Sequence, residues 1–168
     1  MTVLNVPHRS QGDNFYHPSG TCNLTCAGMV LLYHGILPSN PNIQFEDELF
    51  EYVHDNKLSR HSPQDIAKVI EAYGCKDRFT FNGTIEEIKQ SINNGAPCII
   101  HGYFTREGHI VVVRGYNEKG LIVNDPNGEF FERGYDTRAS GAGLLYSYEL
   151  IERTCAYDSE FWVHHVSR

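Results

Sequence analysis

The feature that most narrows the fold of this chain is a change of pattern at Pro97. Before it, apolar residues recur at helical spacing; after it, they come in short runs bounded by turn residues. Helical segments first and strand segments second predict an α+β fold, with N-terminal helices packed on an antiparallel sheet.

Four helices are predicted. Residues 22 to about 34 are apolar nearly all round, which marks a central buried helix, and Gly35 supplies its stop. Residues 45 to about 54 place Phe45, Leu49, Tyr52 and Val53 on one stripe. Glu46, Asp47, Glu48 and Glu51 lie opposite, so this segment reads as an amphipathic surface helix. Ser62 followed by Pro63 gives an N-cap and a proline at the first helical position, and the helix runs through Ile66, Val69 and Ile70 to Gly74. Thr84-Ile85-Glu86-Glu87 is a capping-box pattern that opens a fourth helix, closed by Gly95. Strands are predicted at 98–104, 110–116, 121–123, 130–131 and 161–166, with Asn117-Glu118-Lys119-Gly120 as a hairpin connection. The first 21 residues read as an irregular lead-in.

A length of 168 residues suits one domain over residues 1–168, a size that buries about 70% of the unfolded chain's surface. No apolar run reaches the roughly 20 residues that span a bilayer, and the N-terminus carries no signal-like segment, so a soluble cytoplasmic protein made without Sec export is expected. The net charge of −7 is spread over helix faces, which gives little support to nucleic-acid binding. Five cysteines, odd in number and without framework spacing, fit reduced thiols better than a disulfide scaffold.

One of those cysteines stands apart. Cys22 opens the buried helix, where a thiolate faces unpaired backbone N–H groups and the positive end of the helix dipole; Cys26, one turn on, is shielded inside it. His109 begins one arm of the predicted hairpin and Asp125 lies just past the end of the other, at the same open end of the ribbon. Together they suggest a Cys, His, Asp triad. The parity is conditional: a one-residue bulge at Gly120 sets His109 opposite Asn127 with Asp125 two residues away on the same face, and without it the two side chains fall on opposite faces.

Each residue also has a plainer reading. Cys22 fits a structural thiol, His109 a strand-end histidine, and Asp125 a turn residue in Asn124-Asp125-Pro126-Asn127-Gly128. A zinc site built from Cys22, Cys26, His17 and His34 lacks finger or ribbon spacing, so no metal and no cofactor are expected. His101, His164, His165, Trp162, Tyr103, Tyr135, Tyr146 and Tyr148 read as core or rim. The Ala139-Ser140-Gly141-Ala142-Gly143 stretch reads as a mobile loop bordering the cleft, and the tyrosine-rich 134–148 region as a substrate contact.

Five segments together carry a resemblance that spans most of the chain. They are Val6-Pro7 through Gln11, Ser19-Gly20-Thr21-Cys22-Asn23, Gly95-Ala96-Pro97, Gly108-His109-Ile110-Val111-Val112-Val113-Arg114-Gly115-Tyr116, and Val123-Asn124-Asp125-Pro126. In this order they resemble papain-like cysteine peptidases of the bacteriocin-processing, double-glycine leader type, bacterial or phage. The resemblance implies a papain-like fold, Cys22 as nucleophile, His109 as general base and then acid, Asp125 as its orienting residue, and Gln11 as a donor to the oxyanion hole. It implies a peptide substrate and leaves three occupations open: a phage endolysin cutting peptidoglycan peptides, a leader-processing protease, or a transacylase using the same thioester. A binding or structural module of the same fold without activity is the alternative of a different class.

Overall fold

A 12-residue helix, α1 (Cys22–Tyr33), runs through the centre of the computed structural model, which describes residues 1–168. Every residue from Asn23 to Leu31 is buried, as an all-round apolar helix requires. It ends at Gly35, whose φ of +80° lets the Ile36 N–H reach back to the Leu31 carbonyl at 3.0 Å. Two further helices, α2 (Phe45–Asp55) and α3 (Pro63–Ala72), flank α1; the Ser62 side chain caps α3 by accepting from the Asp65 N–H, with Pro63 at the first position. Thr84 caps α4 (Ile85–Asn93) in the same way, accepting from the Glu87 N–H.

The acidic face of α2 departs from expectation. Glu46, Asp47 and Glu48 are buried, because each has partners from segments that fold over the helix. Arg9 reaches Glu46 at 3.0 Å, the N–H groups of Phe15 and Tyr16 donate to Asp47, and those of Ser39 and Asn40 donate to Glu48. Buried carboxylates satisfied in this way are tolerated, and they pin the irregular lead-in, including Gln11, beside the start of α1.

The strands in chain order are β1 (Thr2–Val3), β2 (Lys76–Thr80), β3 (Cys98–Gly102), β4 (His109–Tyr116), β5 (Gly120–Asn124), β6 (Glu129–Phe131), β7 (Gly134–Asp136), β8 (Leu144–Ser147) and β9 (Val163–Ser167). The main sheet runs β2-β9-β3-β4-β5-β8 with β1 paired to β4, every pairing antiparallel, and β6–β7 form a separate hairpin. One core lies between the sheet and α1–α3. A second lies beneath α4 and α5 (Tyr148–Cys155) on the other face.

The order of helices followed by sheet is therefore not strict. β2 falls between α3 and α4, and α5 falls late. Lys76-Asp77-Arg78-Phe79-Thr80 carries too many charges to read as a strand, and it is one because it sits at the sheet edge, where charges are common. The N-terminal lead-in likewise contributes β1. The bulge exists but lies elsewhere than Gly120: β4 and β5 pair Val113 with Val123 and then Gly115 with Ile122, leaving Arg114 as the extra residue. Extended toward the open end, that register places His109 opposite Asn127, with Asp125 on the same face.

Candidate active site

A cleft of about 440 Å³ opens where the start of α1 meets the sheet, and Gln11, Cys22, His109 and Asn127 all line it. Cys22 is the first residue of α1 and partly exposed, whereas Cys26 is buried, with its thiol 3.4 Å from the Ile110 carbonyl. Burial pushes the Cys26 thiol far above its ordinary pKa. Thr21 precedes Cys22 without capping the helix, since its hydroxyl donates to the His17 carbonyl at 3.0 Å and accepts from the Asn14 amide at 2.9 Å. The N–H groups of Cys22 and Asn23 consequently have no acceptor within the chain. Open donors at a helix start suit a developing negative charge.

Gln11 is 3% exposed and fixed from both ends: its N–H donates to the Pro126 carbonyl at 2.9 Å and its Nε2 to the Pro18 carbonyl at 3.0 Å. Because the carbonyl of Pro18 only accepts, it orients the amide with nitrogen toward it, and the second Nε2 hydrogen remains for another acceptor. The side-chain oxygen is buried without a partner.

His109 Nε2 lies 2.8 Å from Asp125 Oδ1, in a pair with exposures of 4% and 0%. The Asp125 carboxylate accepts three further hydrogen bonds: from the Asn127 N–H at 2.9 Å, the Tyr135 hydroxyl at 2.8 Å and the Tyr146 hydroxyl at 2.7 Å. A carboxylate so supplied with donors is fixed in position. Burial lowers the His109 pKa, hydrogen bonding to Asp125 and then to Cys22 raises it, and the balance stands at about 9. The ring thus uses one nitrogen on Asp125 and offers the other toward Cys22, an arrangement that can pair a thiolate with an imidazolium.

The tyrosines were the residues that sequence reasoning missed. Tyr135 on β7 and Tyr146 on β8 hold Asp125 from behind and do not line the cleft, contrary to the substrate-contact expectation for 134–148. Burial, then the charge of Asp125, raises both phenol pKa values, so both remain hydroxyl donors. The Gly-rich loop has a related task. Gly141 accepts from the Asp125 N–H at 2.8 Å, and a Cβ on Gly141 would lie 1.9 Å from the Asp125 carbonyl oxygen, so only glycine permits that approach. No local pattern announces these contacts, because they join residues separated by 10 to 21 positions.

Of the remaining histidines, His61, His101 and His164 line the cleft. His165 does not; it is buried beside Ser91 at 2.8 Å, and burial pushes its pKa down to about 4. No group of three His, Cys, Asp or Glu side chains is placed to hold a metal ion, and no helix is long and apolar enough to cross a membrane.

A model described as the Peptidase_C39-like family matches residues 3–156. The chain belongs to that family of cysteine peptidases. The fold is similar to that of a double-glycine-motif protease from an AMS/PCAT transporter, crystallised in complex with the leader peptide: TM-score 0.63, 19% identity, 99% of this chain and 95% of that one covered. It is also similar to a C39-like peptidase structure from Bacillus anthracis, with TM-score 0.67, 16% identity, and coverage of 99% and 98%. No curated protein matches the chain. The Peptidase_C39-like chain described here therefore has the papain-like α+β architecture, with helices packed on an antiparallel sheet.

Proposed function

We propose that this Peptidase_C39-like protein hydrolyses a peptide or amide bond through a thioester on Cys22. The observation that carries the reading is the buried 2.8 Å His109–Asp125 pair set in the wall of the cleft that also holds Cys22. Sγ of Cys22 attacks the carbonyl carbon, and the resulting oxyanion takes hydrogen bonds from the Cys22 N–H and Gln11 Nε2. His109 gives its proton to the leaving amine as the C–N bond breaks. Water then attacks the thioester while His109 takes a proton, and the C–S bond breaks to regenerate the thiolate. Asp125 keeps the imidazole oriented throughout.

Iodoacetamide labelling at near-neutral pH, mapped by mass spectrometry, tests the pair. Selective modification of Cys22 that weakens in His109→Ala supports it; slow, unselective labelling indifferent to His109 favours a binding module of the same fold. For the substrate, similarity to a protease crystallised with a leader peptide favours a peptide. The endolysin version predicts that the protein clears a suspension of permeabilised bacteria, and unaltered turbidity removes it. Added amines distinguish transacylation from hydrolysis by the products formed.

Tyr135 and Tyr146 act as positioning residues in this scheme. Hydrogen bonds to charged groups contribute about 1.5–3 kcal/mol each, and each 1.36 kcal/mol of lost transition-state stabilisation costs about tenfold in rate. Tyr135→Phe combined with Tyr146→Phe is expected to lower kcat about 10- to 100-fold. KM should hold, because neither hydroxyl lines the cleft. Steady-state kinetics on any peptide that the wild type cleaves would show the split, and a rise in KM with unchanged kcat would contradict it.

A further inference from the structure

Away from Cys22, the cleft floor holds a second buried acid–imidazole pair that the proposed chemistry does not use. His164 Nδ1 on β9 lies 2.7 Å from Asp77 Oδ2 on β2, with side-chain exposures of 6% and 0%. With Asp77 ionised, Nδ1 carries the shared proton, since a carboxylate only accepts. His164 Nε2 makes no hydrogen bond within the chain, and the residue lines the cleft between Phe79, whose ring centroid lies 4.6 Å away, and Trp162. The other Asp77 oxygen is buried without a partner.

A buried ion pair is a poor stabilising device compared with apolar side chains of similar volume. Its place at a cleft floor, with one nitrogen unpartnered, suits recognition of a ligand. The surrounding charge indicates which ligand. The cleft is lined by Arg60 and by four of the chain's nine histidines, His61, His101, His109 and His164, against the single acid Glu107, in a protein of net charge −7. With histidine counted neutral, as in that net charge, Arg60 balances Glu107, so the cleft repels an anionic group less than the surface at large does.

We infer that the cleft carries a carboxylate-binding subsite, built from the Asp77–His164 pair and Arg60, that takes an acidic side chain of a peptide. The peptide as occupant rests on the peptidase reading above. A carboxylate that binds at Nε2 together with a proton taken up from water leaves an imidazolium donating to one carboxylate from each nitrogen, and Arg60 lines the same cleft. Register fixes the distance: His164 pairs with Ile99 and Ile99 with Val112, so His164 stands two strands across and three residues along from His109. That is about 14 Å between the two backbones, and the odd offset along the strand turns the two side chains to opposite faces of the sheet.

Trp162 is the only tryptophan in the chain, lies in the cleft and packs on His101 at 5.1 Å, so its fluorescence reports occupancy without catalysis. The probe is a set of blocked ten-residue alanine/serine peptides carrying one Glu or one Gln at each position in turn, titrated into the Cys22→Ala protein. The expected result is at least tenfold tighter binding of Glu than Gln at one position or two adjacent ones. That preference should fall within twofold when Asp77→Asn and His164→Gln are added. Thermal melting checks that this amide pair folds; if it does not, Asp77→Leu with His164→Leu replaces it. No Glu preference at any position, or one that survives the paired substitution, overturns the subsite. Iodoacetamide labelling of the wild type is read separately: a Glu preference without Cys22-selective labelling keeps the subsite and sinks the peptidase reading, and the converse sinks the subsite alone.

Discussion

Replacing Cys22 with alanine is expected to abolish turnover, lowering kcat by about a millionfold, the scale on which loss of a triad nucleophile leaves only binding and oxyanion stabilisation. Cys22 is partly exposed at the head of α1, so the substitution removes little packing and the melting temperature should hardly change. Kinetics on a cleaved peptide, beside intact-mass detection of the thioester in the wild type alone, would check this. Cys26→Ala makes the contrasting control. That thiol is fully buried in the core beneath α1, so its loss should cost stability and leave kcat nearly intact in the folded fraction. If Cys26→Ala removed activity and Cys22→Ala did not, the assignment of the nucleophile would be wrong.

His109→Ala should cost nearly as much, since nucleophile and base act as a unit. The pH dependence is the sharper readout. The imidazolium must give its proton to the leaving amine, so kcat/KM is expected to fall as pH rises through about 9, the value to which Asp125 and Cys22 raise His109 against its burial. Stability follows the same sign. A folded-state pKa above the ordinary 6.5 contributes stability that is complete below about 6.5 and is lost as pH rises through about 9. The wild-type melting temperature should therefore drop across that window, and His109→Ala should flatten the drop. An alkaline limb near 6.5, or a melting temperature indifferent to pH over the window, would show that the pair does not hold the proton.

Helices α1, α3 and α4 were legible because their signals are local: an all-round apolar run, Ser62-Pro63, and Thr84 ahead of Glu87. The pairing of His109 with Asp125 was legible only as a condition, since parity depends on a bulge, and the bulge falls at Arg114 rather than at Gly120. β2 was not legible, because an edge strand tolerates the charges that disguise it. The acidic face of α2 misled for a matching reason. Charge predicts exposure unless donors arrive from elsewhere, and here Arg9 and the backbone of residues 15 and 16 arrive from the lead-in.

By itself the amino-acid sequence determined the α+β class, the position of Cys22 at a helix start, and the family to which the chain belongs, for each of these is written in contiguous residues. Only the tertiary structure decided how Asp125 is held and what lies across the cleft. Tyr135, Tyr146 and Gly141 meet Asp125, and Asp77 meets His164 across 87 positions, through contacts that form once β9 inserts between β2 and β3 and the β6–β7 hairpin folds back. Hydrogen bonds of that kind depend on register and on layers closing over one another, which no local pattern of residues encodes.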